Sequence, residues 1–190
     1  MRGLRFALLF EAAVGVVALI AAWVLGVSVG PTLGLDWSGV LFAACGVGLL
    51  LLLFTLTMRS TWPPFQRIRG ELGRLLDLLF GTCGPAGLLA VSIMAGISEE
   101  LLFRAVIQQS IAAHLSTVAA LIVTNLVFAL AHAITPTYAV LAFAMGTVLS
   151  LVFLLSGSLI AAALTHAIYD FVALLIYRSQ KGSSAEGYRA

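Results

Sequence analysis

Charge is the scarcest commodity in this chain. Only 8 acidic and 10 basic side chains occur among 190 residues, 9% of the total against 62% hydrophobic. A soluble domain carries roughly a quarter of its residues as charges, so this composition excludes a globular protein surrounded by water. Cysteine is scarce as well. Cys45 and Cys83 stand in separate apolar stretches with no C-x-x-C spacing, which excludes a disulfide framework and a paired redox motif and leaves both as packing residues. The net charge of +2 comes without a basic block, so nothing points to nucleic acid as a partner.

What fills the space is apolar sequence in windows of about twenty residues, the length that crosses roughly 30 Å of hydrocarbon at 1.5 Å per residue. The runs are continuous rather than alternating, which selects helices over a barrel. Six spans are expected, near residues 6–26, 38–58, 86–108, 115–135, 138–156 and 158–177. Between the second and third, Ile68, Leu72, Leu75, Leu76 and Leu79 share one helical face while Arg67, Arg69, Glu71, Arg74 and Asp77 take the other. This predicts an amphipathic helix over 66–80 lying on the membrane surface, introduced by Trp62-Pro63-Pro64. The fold class is therefore an all-α integral membrane protein with one interfacial helix.

Basic residues set the orientation. Arg2, Arg5, Arg59, Arg67, Arg69, Arg74, Arg178, Lys181 and Arg189 all fall on one side of an even number of spans, which the positive-inside rule makes cytoplasmic, so both termini are expected there. The first apolar stretch runs about twenty residues without a convincing small-x-small cleavage site and reads as a retained span rather than a signal peptide. The chain divides into residues 1–84, two spans and the surface helix, residues 85–178, four spans that carry most of the buried polar side chains, and a short polar tail over 179–190 expected to be disordered. Glu11 is the one acid in the first two spans, and a place near the interface would account for it.

Ionisable residues at bilayer depth mark functional sites. Glu99 and Glu100 interrupt an apolar run, and Arg104 follows four residues after Glu100, in the order that favours an ion pair on one helix. Glu99 is then left free for general acid or base work, the alternative being that both acids only hold Arg104 against a neighbour. Phe128 and His132 share a helical face, as do His166 and Asp170, so that Asp170 can orient His166. At 1.5 Å per residue, Glu99 and His166 come out about 16 Å from the cytoplasmic face and His132 about 6 Å from a helix end at Pro136. Two chemistries suit the set. In one, Glu99, His132 and His166 bind a divalent metal such as zinc, whose water is the nucleophile. In the other, Glu99 and His132 activate water directly while His166 and Asp170 stabilise the oxyanion. Spacing does not choose between them, and both hydrolyse a peptide bond or a similar acyl group. The H-E-x-x-H and G-x-S-x-G signatures are absent, and Asp170 is the one aspartate in the later spans, which removes a paired-aspartate mechanism.

Glu99-Glu100-x-x-x-Arg104, Phe128-x-x-x-His132 and His166-x-x-x-Asp170, in that order on consecutive helices, resemble the CPBP family. This family comprises CAAX prenyl proteases and bacteriocin-processing or immunity (Abi-like) proteins, described as intramembrane metalloproteases. The resemblance covers about residues 85–178 and includes Leu159 to His166 after Ser156-Gly157-Ser158. It implies Glu99 as catalytic acid/base, Glu100 paired with Arg104, His132 assisting the water, and His166 with residue 170 completing the site. The chain departs from the prenyl proteases at Asp170, where Asn is usual; an ionised Asp cannot donate to an oxyanion, which shifts its role toward orienting His166 or binding metal. The chain has fewer spans than the eukaryotic prenyl proteases, so a prenylated substrate is not carried over, and the small six-span layout suggests a bacterial inner membrane. The expected activity is an intramembrane endopeptidase acting on a membrane-associated peptide or protein. The alternatives from other classes are a proton- or ion-coupled transporter using the same Glu/His relay and a non-catalytic immunity or scaffold protein.

Overall fold

Residues 2–186 are described in a computed structural model of the chain, their side chains as far as Gln180. The described residues form helices throughout and no strand: α1 (Arg2–Leu25), α2 (Trp37–Arg59), α3 (Pro63–Phe80), α4 (Pro85–Glu100), α5 (Gln109–Ala112), α6 (Thr117–Ala131), α7 (Pro136–Ser156) and α8 (Leu159–Glu186). A π-helical segment, Leu101–Gln108, joins α4 to α5 without a break. Prolines open α3, α4 and α7, where their missing N–H is no loss. Asp36 caps α2 by accepting from Gly39 N at 2.8 Å, a bond that holds its carboxyl below the usual range. Gly157, at φ 64°, makes the left-handed stop that a side chain would strain, and it turns α7 back into α8.

Among the described residues, five helical stretches are long and apolar enough to cross a membrane: Arg2–Leu25, Trp37–Arg59, Pro85–Ala112, Pro136–Ser156 and Leu159–Gln180. The fourth of the six expected spans is the difference. Its helix, α6, has 15 residues and covers about 22 Å, short of a full hydrocarbon core. The surface helix is present as α3, three residues longer than its periodicity suggests because Pro63 and Pro64 start it. Beyond Arg178, α8 continues to Glu186 over the first part of the stretch expected to be a tail; residues 187–190 of that stretch lie outside the described residues.

The bundle is greasy on the outside and small-grained within. Trp23, Leu9, Leu78, Leu130 and Trp37 are exposed, as suits a surface that meets lipid, whereas the core uses Ala18, Ala105, Ala120, Ala161 and Ala162, all at 0% exposure. Small residues let backbones approach. At Gly96 an added Cβ would lie 2.7 Å from the Ala163 carbonyl oxygen and 2.9 Å from Ala167 Cβ, so a glycine is what seats α4 against α8. Cys83 is buried as expected, but Cys45 faces outward.

The arginine-bearing ends gather at one end of the bundle. Gly3 lies against the backbone of Leu78 and Leu79, Arg69 donates to Thr57 O at 2.6 Å, Tyr177 donates to Gly73 O at 2.9 Å, and Arg178 donates to Cys83 O. The start of α1, the end of α2, α3, the start of α4 and the far part of α8 therefore sit together. At the other end Ser158 Oγ donates to Gly34 O at 2.5 Å.

Candidate active site

The two adjacent glutamates point different ways. Glu100 turns into the bundle, where its Oε1 accepts from Arg104 Nη1 at 3.1 Å and from His166 Nδ1 at 2.8 Å. The i,i+4 pairing anticipated from the sequence is thus formed, and His166 of α8 joins it. Arg104 is completely buried and its Nη2 crosses to the Gly146 carbonyl on α7 at 2.9 Å, while its Cζ lies 4.9 Å from the Phe128 ring centroid. A larger residue at Gly146 requires its neighbours to shift. A Cβ there would fall 2.6 Å from Asn125 Oδ1 and 3.1 Å from Phe128 Cδ1. The arginine lies in the π-helical segment, a widened geometry that recurs at functional sites and here buries Phe103, Arg104, Ala105, Val106 and Gln108 in succession or nearly so.

Glu99 faces a cavity of about 720 Å³ among α1, α2, α3, α4, α7 and α8, with the end of α6 at its wall. Its Oε2 lies 3.5 Å from His132 Nε2. His132 closes α6 and stacks on Phe128 with ring centroids 4.2 Å apart. Glu99 is the fifteenth residue of α4, about 21 Å along the helix from Pro85. The early end of α6 brings His132 to this level, removing the depth offset that spacing alone suggests between His132 and the other two groups. His166 Nε2 lies 3.6 Å from Asp170 Oδ2, and both residues line the same cavity. All six expected site residues therefore belong to one assembly, three in a sealed clamp and three at the cavity wall, with His166 touching both.

Hydrogen-bond partners fix the imidazoles. A carbonyl only accepts, so His132 Nδ1, 2.8 Å from Phe128 O, carries the proton, and His166 Nδ1 does the same toward the Glu100 carboxylate. In the neutral rings each Nε2 then presents a lone pair to the cavity. These are donor types that metals use, and the held Nδ1 is a familiar outer-shell arrangement. The geometry is another matter: among the described residues no group of three or more His, Cys, Asp and Glu side chains is placed to hold a metal ion. Glu99, His132 and His166, expected as ligands, do not fit an ion as they stand.

Several neighbours carry little signal in the sequence. Glu11 is buried at the cavity wall, and Ser98 Oγ lies 2.7 Å from its Oε2. Asn125 Nδ2 donates to Ser150 Oγ at 3.1 Å and Ser150 donates to Gln108 Oε1 at 2.7 Å, a polar link packed behind Arg104. Polar side chains inside apolar helices are the one hint of that link. Tyr138, in the first turn of α7, lines the cavity with nothing in its spacing to announce it.

Comparison with known families finds a match. Residues 83–172 match the family described as Rce1-like, type II CAAX prenyl endopeptidase Rce1-like. No curated protein and no solved structure matches the chain. The matched segment contains both glutamates, the arginine, both histidines and Asp170, so residues 83–172 form an Rce1-like domain of the CPBP/CAAX protease type within the chain.

Proposed function

We propose that the chain is an intramembrane endopeptidase that hydrolyses a peptide bond in a membrane-associated peptide or protein, with Glu99 and His132 activating the water. The observation that carries this reading is the Glu99–His132 pair, 3.5 Å apart, at the wall of a cavity otherwise lined mostly by apolar side chains such as Phe10, Leu53, Leu72 and Leu141. Both facing atoms are acceptors in the ionised acid and the neutral ring, so a donor between them satisfies both, and water is the donor a hydrolase needs. Glu99 takes the proton of the attacking water and returns it to the leaving amine. His132 orients the water through Nε2. Glu100, clamped by Arg104 and His166, holds α4 and α8 in register and fixes the His166 ring through its Nδ1, with Asp170 completing the site 3.6 Å from Nε2. An apolar chamber beside the polar wall suits a lipid-borne substrate that enters from the bilayer.

In the membrane, α6 serves as a short fourth crossing. Both termini are then cytoplasmic, in keeping with the arginine-rich end of the bundle, and α3 forms part of the cavity wall. The test compares membrane peptides from cells expressing the wild type and Glu99→Gln. The variant should fold normally and lose cleavage by about 10²–10⁴-fold, the usual worth of a positioned acid/base. Identical peptide profiles, together with no cleavage of a tethered peptide library by purified wild type, would remove the peptidase reading.

A further inference from the structure

The proposed hydrolysis passes through a tetrahedral oxyanion, and hydrolases stabilise that charge with hydrogen-bond donors fixed in place beforehand. The wall around Glu99 is poor in donors. Ionised Glu99 and Asp170 only accept. His132 and His166 commit their Nδ1 protons to Phe128 O and to Glu100 Oε1, each at 2.8 Å. A second proton on His166 would sit on Nε2, where Asp170 Oδ2 competes for it at 3.6 Å. Hydroxyls farther along the cavity are also committed: Thr57 to Leu53 O at 2.9 Å, Ser92 to Leu88 O at 2.9 Å, and Tyr169 to Met145 Sδ at 3.8 Å.

Tyr138 differs from all of these. It lines the cavity with Glu99, His132, His166 and Asp170, and its phenol makes no hydrogen bond among the described residues. Its backbone is fixed, because Pro136 starts α7 and the buried Thr135 caps it by accepting from Tyr138 N at 3.1 Å. The geometry points to Tyr138 as a further catalytic residue, its phenolic O–H donating to the oxyanion and supplying what Asp170 cannot.

This assignment rests on the peptidase reading. In the step concerned, water oxygen bonds to the scissile carbonyl carbon, the C=O π pair moves onto oxygen, and the water's proton goes to Glu99. Tyr138 holds the new anion through one hydrogen bond without transferring its proton. Collapse re-forms C=O and breaks C–N, and the proton on Glu99 leaves with the amine.

The test uses the full-length protein in proteoliposomes with a library of quenched, acyl-anchored peptides, and the phosphinate analogue of the peptide cleaved fastest. Tyr138→Phe should lower kcat about 10²-fold with KM unchanged, and weaken phosphinate binding by a similar factor. Placing 3,5-difluorotyrosine at position 138 keeps the ring's shape. It should make activity fall at a lower pH than in the wild type, because that phenol loses its donor proton earlier. If both replacements stay within twofold of wild type at every pH while Glu99→Gln is inactive, the Tyr138 role is overturned and the peptidase stands. If wild type and Glu99→Gln are equally inert, both proposals fall together.

Discussion

Glu99 and Glu100 are consecutive residues of α4, yet their surroundings have opposite characters. The Glu100 clamp is sealed: Glu100 and Arg104 are 0% exposed, and their bonds to each other, to His166 and to Gly146 O are 2.8–3.1 Å long. The Glu99 side keeps some surface open, 13% for Glu99, 29% for His132 and 30% for Asp170, and its gaps of 3.5 and 3.6 Å exceed a good hydrogen bond. Tight, dry pairs hold helices in register, whereas loose pairs facing a cavity leave room for something else to bind. A helix turns its side chains by about 100° per residue, so adjacent positions can divide these tasks cleanly.

The largest stability change should come from the clamp. Arg104→Met leaves a buried carboxylate with His166 as its remaining partner, and breaking a buried ion pair one-sidedly destabilises by about 3–5 kcal/mol. Thermal unfolding in micelles should show a marked fall, whereas Glu99→Gln should melt close to wild type although it loses the activity proposed above. If the two variants melt alike, the division between holding and reacting is wrong. A second-rank effect is expected at Gly146→Ala. The new methyl must displace Asn125 or Phe128, overpacking that costs about 1–3 kcal/mol, and it should weaken Arg104's anchor on α7. Combined with Arg104→Met, its effect should be less than additive, since the anchor is already gone. Full additivity would mean that the two sites are independent.

The legible part of this molecule was the part written in local spacing. The i,i+4 intervals between Glu100 and Arg104 and between His166 and Asp170 bring those side chains together on one helix whatever the rest of the fold does, and α3 announced itself through its split of leucine and charge. The parts that were not legible depend on distant neighbours. Glu100 and His166 are 66 residues apart, and only the seating of α4 on α8 at Gly96 makes them partners. Hydropathy could not show where α6 stops, because Leu115 to Pro136 is apolar almost without interruption while the helix ends at Ala131. The π-helical turn likewise answers to packing around Arg104 rather than to any residue's preference.

The smallest predicted effect probes whether α1, outside the matched family segment, is part of the site or only beside it. Ser98 stands next to Glu99, and its Oγ lies 2.7 Å from Glu11 Oε2 and 2.8 Å from Met94 O. A serine has one proton for two acceptors, so a proton carried by Glu11 completes the set. Glu11→Gln supplies an amide N–H in the same place and should change stability by less than about 0.5 kcal/mol, while Ser98→Ala leaves the buried Glu11 without its partner and should cost about 1 kcal/mol. Equal losses in the two variants would show that Glu11 is ionised, with its charge rather than its shape tying α1 to α4. The acid of the N-terminal helices would then belong with Glu99 among the charges facing the cavity, and the contrast between a sealed clamp and an open wall would extend to a third carboxylate.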